Sequence, residues 1–226
     1  MEGREMRPPW TRRYRDKLSR LLRRKHKLEF QESHLGIEDR WLIISRHLPD
    51  QKSWILDVGS NLGDTAGRVA ERGHIVIGVE AERHLVERAI KLVPPNVALM
   101  TGRVDPDFFR TMPRFDVVLL LSVLHRIWAV NGRRFAEECL TACIEKSDRV
   151  LIEGAVRHQR YTQYGEEAPG FESNNLDAAV AWHVQWLGGL AMSSSLTVNY
   201  LGHVAASARE PRRPLFLLSA TQADER

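Results

Sequence analysis

The segment from Trp54 to Ala70 constrains the fold of this chain more than any other. An apolar run that ends in Asp57 leads into a turn bracketed by Gly59 and Gly63, and the residues from 64 onward are typical of a helix start. Glycine adopts backbone conformations closed to other residues and lets the main chain approach a small ligand closely. The segment therefore predicts a strand, a ligand-binding loop and a helix.

A second acidic residue follows about one strand later, where the apolar run 75–79 ends in Glu80. An acid at that place can accept hydrogen bonds from the two hydroxyls of an adenosine ribose. The glycine loop and Glu80 together indicate a cofactor that contains a nucleoside. The alternative is an ordinary glycine turn in an α/β protein, but it explains neither Glu80 nor the later strands.

The composition of the loop separates two classes of cofactor. A dinucleotide site follows the pattern G-x-G-x-x-G, which would require glycine where Asn61 and Asp64 stand. A carboxylate at a helix start suits the helix dipole but repels a pyrophosphate. S-adenosylmethionine carries no phosphate, and its sulfonium and ammonium are positively charged. A loop that contains Asp57 and Asp64 therefore favours S-adenosylmethionine.

The spacing of Asp57, Gly59, Gly63 and Glu80 resembles the first two motifs of the class I S-adenosylmethionine-dependent methyltransferases, with Asn61 in place of the usual middle glycine. The resemblance covers roughly residues 40–221 and implies that activity. It implies that the cofactor-binding residues are Asp57, Gly59, Ser60, Asn61, Gly63, Glu80, Ala81, Arg103 and Ser122. Many members place an acid near the adenine where this chain has Arg103, and Asp105 follows two residues later.

The rest of the chain predicts alternating strands and helices, followed by two long strands. The nearly continuous apolar run 115–121 is typical of a central parallel strand that is covered on both faces. The predicted strands are 53–58, 75–80, 97–101, 115–121, 149–153, 196–206 and 214–221. The predicted helices are 38–48, 64–72, 82–92, 105–111, 132–145 and 175–190. As the resemblance implies, we expect a Rossmann-like fold: a seven-stranded, mostly parallel sheet with a C-terminal antiparallel hairpin and helices on both faces.

Three short segments, 121–128, 149–154 and 213–217, are similar to one branch of that family. The branch contains the RNA methylphosphate-capping enzymes and the methyltransferase modules that terminate bacterial polysaccharide chains, both known for methylating terminal phosphates. Ligands of open α/β sheets bind beyond the carboxyl ends of the strands. The polar residues that follow the predicted strands are therefore the candidates for binding the methyl acceptor.

The chemistry of the acceptor decides which residues the reaction needs. A hydroxyl acceptor requires a general base within hydrogen-bond reach, and His125 and Glu153 are the candidate catalytic residues. An acceptor phosphate is already anionic and needs cations to hold it. The candidate substrate-binding residues are Arg157, His158, Arg160, Tyr161 and Tyr164. A structural histidine and a solvated polar loop remain the alternatives.

No metal site is predicted. Cys139 and Cys143 stand four residues apart on a predicted helix, but two ligands alone do not close a zinc site. Two small buried side chains are the preferred interpretation.

The positive charge of the chain is concentrated at its N-terminus. Residues 1–30 contain eleven Lys or Arg and four Asp or Glu, a net charge of +7, whereas the remainder carries −3. Basic residues alternate with Trp10, Tyr14 and Leu18 at helical spacing, which predicts a basic amphipathic helix over 10–28. This helix could bind an anionic membrane surface or nucleic acid, or it could pack on the domain. We expect a helical extension over 1–35 and a methyltransferase domain over 36–226.

The chain lacks both a long apolar run and the apolar core of a secretory signal, so we expect a cytoplasmic protein, either free or peripheral on the membrane. The favoured function is O-methylation of an anionic, phosphate-bearing acceptor such as a glycan, a lipid or an RNA end. One alternative is a methyltransferase for a hydroxyl or amine of a small molecule. Another is a non-catalytic adaptor of the same fold that binds nucleic acid or membrane.

Overall fold

One seven-stranded sheet organises the molecule. The computed structural model describes residues 37–192, 194, 196–205 and 212–220. The strands are β1 (Trp54–Val58), β2 (Ile75–Glu80), β3 (Val97–Thr101), β4 (Phe115–Leu121), β5 (Ser147–Glu153), β6 (Leu196–Val204) and β7 (Arg213–Ala220). They are arranged in the order β3-β2-β1-β4-β5-β7-β6, in which β1 to β5 are parallel and β6 and β7 form an antiparallel hairpin. The predicted sheet is confirmed.

Helices cover both faces of this sheet, as predicted. The helices are α1 (Ile37–Ser45), α2 (Asp64–Glu71), α3 (Arg83–Ala89), α4 (Pro106–Thr111), α5 (Leu124–Asn131), α6 (Arg133–Glu145) and α7 (Leu176–Ala191), and a single 3-10 turn spans His158–Arg160. The helices α1 and α2 bury apolar residues against one face. The helices α4 to α7 bury theirs against the other face.

The strand β4 shows why the apolar run 115–121 lies at the centre. Successive side chains of a strand point to opposite faces, so a strand covered on both sides needs apolar residues throughout. Val117 and Leu119 pack into the core under α1 and α2, whereas Val118 and Leu120 pack into the core under α4 to α7. This central position brings the carboxyl ends of β1, β4 and β5 together at one edge.

The structure adds one helix to the predicted elements. The helix predicted over 132–145 is confirmed as α6, and a further helix, α5, precedes it and meets it at Gly132. Gly132 has φ +91°, and its N–H donates to the carbonyl of Trp128, so it ends α5 and turns the chain into α6. The extra helix matters because it carries His125.

Two expectations concern N-terminal residues that the structure does not describe. The basic stretch 10–28 and the boundary at residue 35 both lie outside the described residues, so they stay predictions. Among the helices that are described, none has the length and apolar character that a membrane span requires.

Candidate active site

The glycine loop after β1 is built from main-chain geometry. Gly59 and Gly63 have φ values of +73° and +76°, and the N–H of Gly59 donates to the carbonyl of Val79 over 2.7 Å. A Cβ atom on Gly59 would lie 2.4 Å from Cγ2 of Val123, too close for any side chain. The loop is therefore held tightly between the ends of β2 and β4.

The Glu80 carboxylate closes this loop from the end of β2. One of its oxygens accepts from the N–H of Asn61 over 2.9 Å and the other accepts from the N–H of Glu82 over 3.0 Å. Asn61 takes the left-handed conformation with φ +50°, which asparagine tolerates better than most residues. Because each carboxylate oxygen has a second acceptor position, Glu80 is oriented and can still accept from ribose hydroxyls.

Asp57 offers a buried carboxylate to the same loop. It is 3% exposed, and its Oδ2 has no hydrogen-bond partner among the described residues. Burial raises the pKa of Asp57 to about 7; Arg40 opposes the shift, and Glu80 and Asp64 add to it. A buried acceptor without a partner fits the ammonium group of S-adenosylmethionine, so the residues present suit that cofactor.

The other predicted cofactor residues have more varied surroundings. Ser60 is buried, and its Oγ has no hydrogen-bond partner within the described part of the chain. Ala81 and Arg103 are exposed just beyond β2 and β3. Asp105, the other acid near the expected adenine position, accepts from the N–H of Phe108 over 2.6 Å and thereby caps α4. The roles of these residues in cofactor binding stay predictions.

Arg40, Ser122, Glu153 and Arg213 form a buried charge cluster at the ends of β4 and β5. Glu153 is fully buried; Arg40 Nε lies 2.6 Å from its Oε2, though not aligned as a hydrogen bond, and Arg213 Nη1 lies 3.1 Å from its Oε1. Ser122 donates to Glu153 and accepts from Arg213 Nη1 over 2.6 Å. Ser122 has φ +60°, a strained conformation that these bonds help to hold.

His125 lies next to this cluster, on the first turn of α5. It is 3% exposed, and its Nδ1 has no hydrogen-bond partner among the residues described. Burial is the largest cause that holds the pKa of His125 well below its usual value of 6.5, and the positive charges of Arg213, Arg126 and Arg160 add to it. The imidazole is therefore neutral at pH 7, in a positive electrostatic field.

The structure places the predicted acceptor residues in different environments. Tyr161 is 2% exposed, and its hydroxyl lies 3.0 Å from Nε2 of His183. His183 Nδ1 lies 2.7 Å from the carbonyl of Ala179 and donates to it, which leaves Nε2 to accept from Tyr161. Tyr164, in contrast, is 64% exposed. The buried position of Tyr161 favours a structural role, and its contact with an acceptor stays a prediction.

The basic residues of the same loop lie near the edge of the site. Arg160 is close enough to act electrostatically on His125. The N–H of His158 donates to Ser173 Oγ over 3.2 Å, and its ring packs against Phe171. An open cleft of about 760 Å³ lies alongside. It is lined by Val156, Glu172, Ser173, Asn174, Asn175, Leu176, Asp177 and Arg212.

Sequence reasoning missed Arg40 and His183 and did not assign Arg213 a role. Arg40 lies on α1, 113 residues before its partner Glu153, and Arg213 lies 60 residues after it. No local spacing signals such a contact. Arg213 belongs to a segment that the branch resemblance singled out, and that was the one signal available.

Comparison with known proteins gives a uniform result at the level of fold. No family model matches the chain, and no curated protein matches it. Among solved structures, the crystal structure of WbdD is 19% identical with a TM-score of 0.58. Another structure of WbdD describes it as a bifunctional kinase-methyltransferase. The match covers 81% of this chain and 38% of WbdD, so this chain spans about two fifths of WbdD.

Two further structures match over their whole length and hold a cofactor. Magnesium protoporphyrin IX methyltransferase (ChlM) from Synechocystis PCC 6803, with S-adenosylmethionine bound, is 12% identical with a TM-score of 0.59, over 98% of this chain and 100% of that one. The N-terminal domain of EvdMO1, with S-adenosylhomocysteine bound, is 17% identical with a TM-score of 0.59, over 97% and 100%. This chain therefore has the fold of the class I S-adenosylmethionine-dependent methyltransferases.

Proposed function

We propose that this chain transfers the methyl group of S-adenosylmethionine to an oxygen of an anionic, phosphate-bearing acceptor. The observation that carries this proposal is the presence of arginine side chains at the carboxyl edge of the sheet, where Arg213 lies against Glu153. Arg126, Arg160 and Arg213 all act on the buried, neutral imidazole of His125. A positive field in a poorly solvated site attracts and orients an anion far more effectively than it would in water.

The cofactor would be held by the loop beside β1 and β2. Asp57 Oδ2 suits its ammonium, Glu80 suits the ribose hydroxyls, and the glycine at 59 keeps the main chain close. When bound, S-adenosylmethionine supplies a methyl group already activated by the sulfonium. The remaining work of the protein is to bring the acceptor oxygen into line and to exclude water.

The residues of the acceptor side then act by charge and position. A phosphate oxygen needs no base, so neutral His125 can line the site without adding a proton to it. Arg160, with Arg157 and His158 in the same loop, would attract the acceptor from solvent. These assignments rest on the position of the loop beside His125 and on its charge.

A second candidate function is supported by one specific observation. His125 is uncharged, and its Nδ1 has no hydrogen-bond partner in the described part of the chain, so it could accept a proton from a hydroxyl acceptor. Glu153 is less suited to that task, because two arginines already contact its carboxylate. Its role as a base stays a prediction that the geometry does not favour.

Calorimetry with S-adenosylhomocysteine, followed by methyl transfer from isotope-labelled S-adenosylmethionine into cell extract, tests the proposal. We expect binding that Glu80→Ala abolishes and Glu82→Ala leaves intact, because Glu80 contacts the loop through its carboxylate whereas Glu82 is exposed. Label in phosphate-containing products supports the anionic acceptor. Label confined to neutral hydroxyl or amine products supports the second candidate instead, and no binding at all leaves only the adaptor.

The basic stretch 10–28 is proposed to bring the protein to anionic partners, either a membrane surface or nucleic acid. Deleting residues 1–30 removes a net charge of +7. We expect weaker binding to anionic vesicles or to RNA, with a smaller salt dependence. Equal binding of the two forms to both partners at every salt concentration would show that the stretch serves the fold alone.

A further inference from the structure

We propose that Arg40 and Arg213 together bind the anionic group of the methyl acceptor, and that Glu153 is the positioning residue that holds them side by side. This inference rests on the proposed function, because it takes the acceptor to be anionic. It assigns a binding role to two arginines that the sequence patterns did not connect. It also gives Glu153 a role other than that of a base.

The position of the two arginines in the sheet supports an acceptor site. In the order β3-β2-β1-β4-β5-β7-β6, the glycine loop and Glu80 occupy the ends of β1 and β2. Glu153 ends β5 and Arg213 begins β7, on the other side of β4. Arg40 reaches the same place from α1. The pair therefore lies beside the cofactor loop, on the half of the carboxyl edge left for a second ligand.

The chemistry of the cluster also suits an anion. The guanidinium groups of Arg40 and Arg213 lie against Glu153, and their side chains are only 19% and 11% exposed. Ser122 adds hydrogen bonds but no charge. A guanidinium in a poorly solvated place binds an oxyanion more strongly than it does in water. A phosphate or another oxyanion is therefore the ligand that this pair suits.

The contacts leave the guanidinium of Arg40 able to take a ligand. Arg40 uses Nε and Nη2 toward Glu153, and its contacts among the described residues do not involve Nη1. A guanidinium has five N–H donors in a planar fork, which suits two oxygens of one phosphate. Glu153 fixes the direction of this fork, since its two oxygens contact Nε and Nη2 of the same side chain.

Inorganic phosphate is the probe for this site, titrated by calorimetry into the full chain saturated with S-adenosylhomocysteine. We expect Arg40→Gln and Arg213→Gln each to weaken phosphate binding about tenfold or more, as the loss of a charge-assisted hydrogen bond predicts. Arg40→Lys should recover part of the affinity, because it keeps the charge. Arg114→Gln is the matched control, since Arg114 forms an exposed pair with Asp148 far from the site.

The outcomes separate this inference from the proposed function. If S-adenosylhomocysteine does not bind the unmodified chain, the proposed function fails first. If it binds, but phosphate binds wild type, Arg40→Gln and Arg213→Gln equally or not at all, only the anion site is refuted. If Arg40→Gln weakens S-adenosylhomocysteine and leaves phosphate unchanged, Arg40 serves the carboxylate of the cofactor, and the acceptor site is refuted as well.

A variant that loses its fold would be recognised by circular dichroism. In that case the two Lys variants, Arg40→Lys and Arg213→Lys, carry the test. Each replaces a planar fork by a point charge, so phosphate affinity should fall severalfold while binding of S-adenosylhomocysteine stays constant. Unchanged phosphate affinity in both folded Lys variants would overturn the proposal.

Discussion

The glycine loop and the buried charge cluster lie at the same edge of the sheet, yet they are built in different ways. The loop uses consecutive residues, and its contacts are main-chain N–H groups that donate to Val79 and Glu80. The cluster uses side chains that are 31 to 113 residues apart in the chain. One region is therefore defined by local backbone conformation, and the other is defined by tertiary contacts between charges.

This difference determines how each region should respond to mutation. The backbone of the loop leaves no room for added atoms, so a larger side chain there should destabilise the fold by steric overlap. In the cluster, the removal of one charge leaves its buried partner uncompensated, so a change of charge should destabilise the fold more than a change of shape. Single substitutions can test that contrast, and the largest effect is expected in the loop.

Replacing Gly59 by Ala should be the most damaging single change in the loop. The added Cβ would meet Val123 at 2.4 Å in a backbone conformation with φ +73°. We expect a loss of several kcal/mol in the free energy of unfolding, together with loss of S-adenosylhomocysteine binding. Urea denaturation and calorimetry measure the two effects.

Gly73→Ala is the matched control for that variant. Gly73 also has a positive φ, +98°, but no atom lies within 4 Å of the position of its Cβ. It should cost only the conformational term, about 1–2 kcal/mol, and leave cofactor binding unchanged. Equal losses in the two variants would show that backbone strain, and not close packing against Val123, is what the loop requires.

Replacing Glu153 by Gln should be the most damaging charge change in the cluster. The amide keeps the size of the side chain but leaves Arg40 and Arg213 without their shared buried counter-charge. We expect a loss of about 3–5 kcal/mol in the free energy of unfolding. Asp148→Asn breaks the exposed pair with Arg114 and should cost about 1 kcal/mol or less. A small loss in Glu153→Gln would mean that the cluster is more solvated than its burial indicates.

The same contrast explains how much of the molecule could be predicted from sequence. The strands and the loop follow from local patterns, because strand alternation, glycine placement and the terminal acids act over a few residues. Helix α5 was not predicted, because it spans only eight residues and follows the apolar run of β4 almost directly. The contact between Arg40 and Glu153 could not be predicted, because no local rule places α1 over β5.

The contribution of Asp57 to the stability of the fold should depend on pH. Its pKa is raised to about 7 in the folded chain, against an ordinary value of 3.8. Between these values the folded state holds more protons than the unfolded state. The contribution of Asp57 to stability is therefore complete below about pH 4 and is lost as the pH rises through about 7.

Cofactor binding should show the opposite dependence on pH. A cationic ligand stabilises the ionised carboxylate, so the affinity for S-adenosylhomocysteine should rise with pH, by up to about tenfold per unit below pH 7, and level off above it. Calorimetry between pH 5.5 and 8.5 measures this slope. Asp57→Asn should flatten it. A slope that persists in that variant would assign the titration to another group of the site.

Tyr161→Phe should give the smallest of these effects. It tests whether Tyr161, in the loop after β5, serves the hydrophobic core or the acceptor site. The change removes a hydroxyl that lies 3.0 Å from His183 and 3.3 Å from the carbonyl of Ala155, and it leaves the ring packed against Trp128. We expect a loss of about 1–2 kcal/mol in stability because His183 Nε2 is left without its donor. Phosphate affinity and methyl transfer should stay as in wild type, provided that Tyr161 serves the core. A variant of unaltered stability that binds the acceptor more weakly would instead place this hydroxyl in the acceptor site, and would show that the second region extends beyond the charge cluster into the loop.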